Sequence, residues 1–357
     1  MSVSTGTFCQ VWEDDFSHID PASWSYEIQR GGFGTSAFDW TTDDPKNSYT
    51  DAEGLHIVPT LTTESTNITP EQIYDGYRLN LTTDKTCTSP DYTMCSIYSN
   101  KTTGDIINPV RSARMTTKGK RSIQYGKVEV VAKMPKGDWL WPAIWMMPED
   151  DVYGSWPMSG EIDIAESRGN SPENYTDGRN SIISALHWGP SPETDAFWRT
   201  SGKHNLRRTD YSEAFHTYGL EWTKDYLFMY IDNQLLVRIT MYCSLLSIHS
   251  ANSRCSKCSS SNFRLVHETC GTAATLANTS PTSPPCSMPG PRQGCVTLLS
   301  IKNFTSSSTW RSGARTASSK TASATNLGAM AVLLVRKSSG TLGHSGGPPG
   351  ASQMSGE

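Results

Sequence analysis

Residues Glu161-Ile-Asp-Ile-Ala-Glu166 place three carboxylates in six positions, separated by apolar residues. In an extended strand, side chains two apart share a face. Glu161 and Asp163 therefore point the same way, while Glu166, five positions from Glu161, falls on the opposite side. One surplus residue between Asp163 and Glu166, a β-bulge, brings all three to one surface, and bulges often re-aim side chains beside active sites. Two such acids acting together cleave a glycosidic bond: one attacks and the other protonates the leaving oxygen. Without the bulge, the same pattern describes a half-exposed strand with its acids turned to water.

The neighbouring residues bear on that choice. Gly137-Asp-Trp-Leu-Trp-Pro-Ala-Ile-Trp145 carries three indoles in seven residues, and Trp156 follows just before the acids. Indole faces match the C–H faces of pyranose rings and add contact area at low entropic cost. Core packing is the competing role for some of them. Trp141, Trp145 and Trp156 are the candidates for sugar contacts.

The elements that must position these residues read as strands. Leu55-His-Ile-Val-Pro59, Lys127–Lys133, Ser181–His187, His216–Trp222 and Tyr226–Ile231 are rich in β-branched and aromatic residues, with Gly and Pro between them. Asp232-Asn233 before Gln234–Val237 supplies a hairpin turn. No long amphipathic helix and no fixed repeat interrupts the series, so two packed antiparallel sheets are the expected architecture.

Three blocks extend the acidic motif: Trp-Pro-Ala-Ile-Trp145, Ser-Gly-Glu161-Ile-Asp-Ile-Ala-Glu-Ser-Arg-Gly-Asn170 and Leu-His187-Trp-Gly. Together with Asn108–Arg114, Tyr125–Val130 and Phe215–Trp222, they resemble glycoside hydrolase family sixteen over residues 10 to 240. The similarity is to its animal endo-β-1,3-glucanases (laminarinases) and to β-1,3-glucan-binding pattern-recognition proteins. The resemblance implies an all-β, concanavalin-like β-jelly-roll sandwich with a sugar-binding cleft. It implies endo-acting, retaining hydrolysis of β-1,3-glucosidic bonds, with Glu161 as nucleophile, Glu166 as general acid/base and Asp163 tuning the nucleophile between them. Crowded like charges cannot all ionise cheaply, so one acid is expected to keep its proton, and Glu166 is the one that must donate it. The resemblance also places His187, Arg114 and Asn47 at the cleft, against the plainer roles of a histidine satisfied within the sheet and two solvated surface residues. It implies no cofactor and no catalytic metal; some relatives hold a structural calcium, but a ligand they draw from their last strand has no counterpart here. The polymer partner implied is β-1,3-glucan, for a monomer. A secreted β-glucan sensor and a truncated inactive product are the alternatives to an enzyme.

The chain divides near residue 241. Residues 1–241 hold 33 of the 35 acidic and 21 of the 31 basic residues, whereas 242–357 hold two acids and ten bases. Ser, Thr, Gly and Pro dominate this second part, with no strand or helix period beyond Ala329–Val335, so disorder is expected there. The last strands of the family are missing from it, as after a shift of reading frame or splicing into an unrelated exon. The sandwich is then expected to be incomplete, with unpaired backbone exposed. Cys255-Ser-Lys-Cys258 lacks a second ligand pair for zinc. The basic excess is incidental, and no nucleic-acid partner is expected. No apolar run reaches the ~18 residues of a membrane span. The first ten residues show no signal-peptide apolar core. Asn-x-Ser/Thr acceptors occur at Asn67, Asn80, Asn100, Asn174, Asn278 and Asn303; the four in the first half nonetheless fit an extracellular protein, as does a disulfide between Cys87 and Cys95.

Overall fold

The computed structural model describes residues 10–35 and 37–243, together with the strands Phe263–His267, Cys295–Asn303 and Leu333–Arg336. Two eight-stranded antiparallel sheets form a jelly-roll sandwich. The cleft sheet runs Ser25–Tyr26, Arg114–Thr116, Cys295–Asn303, Leu140–Pro148, Glu161–Glu166, Ser181–His187, Gly202–Asn205, with Ser122–Ile123 also paired to Cys295–Asn303. The outer sheet runs Phe263–His267, Gln234–Cys243, Tyr226–Ile231, His216–Trp222, Gly126–Lys133, Leu333–Arg336, Gly54–Ile57, Ser48–Asp51.

The core fills the space between the sheets by strand alternation. Ile144, Met146, Ile162, Ile164 and Ile182 come from the cleft sheet; Leu55, Ile57, Tyr218, Leu220, Met229 and Val237 come from the outer one. The strands read from the sequence lie where they were expected. Ser181–His187, His216–Trp222 and Tyr226–Ile231 have those same bounds. The hairpin after Ile231 pairs Ile231 directly with Gln234 across Asp232-Asn233. Asp232 takes a positive φ of 51°, as a two-residue turn of this twist requires.

Three stretches beyond residue 243 are strands as well. Leu333–Arg336 overlaps the one apolar period visible there, while Phe263–His267 and Cys295–Asn303 have no such signal over their surroundings. Cys295–Asn303 pairs along nine residues with Leu140–Pro148, and Leu333–Arg336 sits between Gly54–Ile57 and Gly126–Lys133. The central positions that the sequence leaves vacant are thus filled, because strands on both sides present backbone N–H and C=O groups that need partners. The remaining residues of 242–357, on which the expectation of disorder falls, lie outside the described residues. So do Cys255, Cys258 and Asn278.

A smaller layer, Asp39–Thr41 with Val110–Ser112 and Thr60–Leu61, buries Trp40, Ile68, Ile73 and Ile107 beside the main sandwich. Cys87 and Cys95 form the expected disulfide at this end, eight positions apart. Closing so short a loop restricts the unfolded chain, and the double variant Cys87→Ser/Cys95→Ser is expected to lose about 2–3 kcal/mol of unfolding free energy. Chemical denaturation reads the change, and an unmoved midpoint would mean that the loop's other contacts alone hold it.

Candidate active site

The acidic strand contains the bulge that its spacing requires. Against Ser181–His187, Glu161 faces His187 and Asp163 faces Ala185, but Glu166 faces Ile183, so the register slips by one residue between Asp163 and Glu166. The neighbour on the other side slips too: Trp145 pairs with Asp163 and Ile144 with Ala165. Ile164 is the surplus residue, and its carbonyl accepts a hydrogen bond from the buried Ser184 hydroxyl at 2.7 Å. Ile162, Ile164 and Ala165 enter the core. The three acids are left together on the cleft face.

Each outer acid is held by an indole. Trp141 Nε1 donates to Glu166 Oε1 at 2.9 Å, and Trp156 Nε1 donates to Glu161 Oε2 at 2.5 Å. Trp156 is partly exposed and Trp141 half-buried, so both border open space. A hollow beside Glu166 is lined by Trp141, Arg168, Asp177 and Ser181. Trp139, two residues before Trp141, is exposed and packs edge-on with Tyr175, with ring centroids 5.3 Å apart.

Asp163 is buried between them at 1% exposure. Burial drives its carboxyl well above the ordinary range, and the negative charges of Glu166 and Glu161 push the same way. His187 opposes them: its Nε2 lies 3.0 Å from Asp163 Oδ2, an ion-pair contact to an oxygen with no aligned hydrogen-bond partner among the described residues. His187 Nδ1 meets Asp195 Oδ2 at 2.5 Å. Burial alone would lower the imidazole pKa. The carboxylates of Asp163 and Asp195, with the charge of Glu161, overcome burial and raise it to about 10. The protonated imidazole is thus favoured, and as a cation it is the counter-charge that favours ionisation of Asp163.

The other expected cleft residues are placed differently. Asn47 is fully buried in the smaller layer, its amide donating to Val58 O and Thr60 Oγ1, and it does not line the cleft. The same amide also reaches Arg111 O at 3.3 Å, and a side chain that ties Val58 and Thr60 to Arg111 in this way is a framework element. Arg114 lies on the cleft sheet but is 7% exposed, with its guanidinium between Phe33 and Trp145 at 3.8 and 4.6 Å from the ring centres. It pairs with Glu27. Trp145 is consequently covered, at 3% exposure, and Trp141 and Trp156 are the expected indoles that remain accessible. Asp195 and Phe197, whose ring stacks on His187 at 5.1 Å, are site residues that no pattern in the sequence indicated. They lie in the loop after the strand, and only folding brings them back.

The raised His187 pKa has a consequence for stability. A group whose folded value lies above its unfolded one stabilises fully below the unfolded pKa and loses that contribution as pH rises through the folded one. For His187 this window runs from 6.5 to about 10. The unfolding free-energy difference between wild type and His187→Gln is expected to shrink across it, as followed by urea denaturation at several pH values. A difference that stays level would show that the imidazole carries no charge here.

Residues 61–247 match the profile of glycosyl hydrolases family 16. Over 233 residues the chain is 38% identical to a β-1,3-glucan-binding protein of Penaeus monodon, covering 65% of this chain and 63% of that protein. It is 43% identical over 135 residues to a glucan endo-1,3-β-glucosidase of Cryptopygus antarcticus, covering 37% of this chain and 46% of that protein. The chain thus spans less than two thirds of the length of these relatives. The laminarinase of Rhodothermus marinus has a similar fold, with a TM-score of 0.54 at 21% identity over 92% of this chain and 96% of that one. With more than half of its 357 residues inside the family profile, the chain belongs to glycosyl hydrolases family 16.

Proposed function

We propose that this protein hydrolyses internal β-1,3-glucosidic bonds of β-glucan with retention of configuration. The bulge at Ile164 carries the reading, since it alone puts Glu161 and Glu166 on one face with Asp163 between them. Glu161 attacks the anomeric carbon to form a glycosyl-enzyme, while Glu166 gives its proton to the departing oxygen. Glu166 then takes a proton from the water that releases the sugar. Trp156 and Trp141 orient the two acids through their indole N–H groups and offer ring surface to the sugars on either side. Asp163, in contact with the His187 cation, adjusts the charge between them.

The residues in this scheme are side chains alone, with no cofactor taking part. Asn67, Asn80, Asn100 and Asn174 all lie outside the buried core, which suits glycosylation in a secreted protein acting as a monomer on extracellular glucan. A recognition role is the second reading, favoured by the 38% identity to a protein named for glucan binding. Both roles use the same trough. An inactive product is the third, and it turns on what residues 244–357 contribute around the three strands they supply.

Wild type is expected to release reducing sugar from laminarin, and Glu161→Gln to lose activity by about a thousandfold or more while still binding insoluble β-1,3-glucan. Proton NMR of the first products should show the β-anomer. Equal sugar release by wild type and variant would overturn the enzymatic reading, and binding without release by wild type would favour the sensor.

A further inference from the structure

Asp195 is eight residues beyond His187, in the loop that returns over the cleft after Ser181–His187. Both of its oxygens are engaged. Oδ1 accepts the backbone N–H groups of Trp188 at 3.1 Å and Phe197 at 3.2 Å, which fixes the carboxylate plane. Oδ2 is thereby aimed at His187 Nδ1, and the Asp195 side chain is 9% exposed. The imidazole is confined on its faces as well, by Phe197 at 5.1 Å and Trp156 at 5.6 Å. Its titratable neighbours are Asp163 and the cross-strand Glu161 on one side and Asp195 on the other.

An imidazole between two ionised carboxylates can satisfy both only when both nitrogens carry hydrogen; either neutral tautomer then leaves a lone pair against an anion. We propose that Asp195 is a positioning residue that holds His187 in place as a cation beside the carboxylate cluster, where it opposes the burial and like-charge repulsion acting on Asp163. Its effect on rate rests on the hydrolytic reading above; the charge on His187 does not. Asp195 acts through His187 and touches no sugar. The loop and the catalytic strand are then electrostatically joined, since displacement of the loop removes the group that keeps the imidazole charged.

Asp195→Asn tests this with little change of shape. The amide oxygen can keep the Trp188 and Phe197 contacts, while the amide N–H donates to Nδ1 and forces the neutral tautomer with hydrogen on Nε2. Nitrogen-15 NMR of the full chain at pH 7–8 is expected to show His187 doubly protonated in wild type and singly protonated in the variant. On laminarin, kcat should fall by about tenfold or more with KM changed less than about twofold, and the acid limb of the pH profile should move to higher pH. Thermal unfolding of both proteins checks that the variant folds. If the variant does not fold, the wild-type spectrum alone still decides the charge. A neutral His187 in wild type, a cation that persists in Asp195→Asn, or an unchanged kcat and pH profile would each overturn the proposal. Wild type inactive on laminarin but with a doubly protonated His187 would instead sink the hydrolytic reading and leave the cation standing.

Discussion

The two-residue period of a β-strand forbids acids at its first, third and sixth positions from sharing a face, and one extra residue lifts that prohibition. Everything at this site follows from where the extra residue goes. Ile164 and Ala165 both turn into the core, and the Ser184 hydroxyl on the adjoining strand donates to the Ile164 carbonyl at the point where the register slips. The irregularity is thus satisfied from both sides, by apolar burial beneath and by a hydroxyl across. A bulge built this way is fixed in register, and so are the acids it aims.

Crowding three carboxylates carries an electrostatic cost that the surroundings offset unevenly. The two outer acids reach open space and each accepts an indole N–H, whereas the middle one is sealed from water and relies on a single imidazolium. Charge is most costly at this point of lowest dielectric, and there an opposite charge has its greatest effect. The arrangement is coherent as a set, since Asp163 without His187 would lose the one cation that favours its ionisation and would hold its proton more firmly.

Much of this was legible in the residues. The acidic strand, its bulge, the hairpin at Asp232-Asn233 and the Cys87–Cys95 bridge follow from local rules: side-chain period, turn chemistry and cysteine spacing. What escaped depends on distant parts of the chain meeting. Trp141 and Trp145 share a strand face by period, but Arg114 from another strand lies over only the second, and sequence spacing carries no trace of that cover. Asn47 sits in a polar stretch that reads as surface and is in fact the buried knot of the smaller layer. Asp195 is one acid among several in a Pro-rich loop. Among the strands beyond residue 243, Cys295–Asn303 contains Val-Thr-Leu-Leu-Ser-Ile, yet its Ser- and Pro-rich surroundings hid it. Strand pairing is decided by what the sheet lacks as much as by what the segment offers.

The two indoles on the outer acids have an effect beyond orientation. An indole N–H donates a hydrogen bond but has no acceptor site and does not ionise in water, unlike a tyrosine, lysine or histidine in the same place. Trp141 and Trp156 therefore hold Glu166 and Glu161 without adding titratable groups of their own. The orientation of the two outer acids is thereby set by groups that take no part in their titration.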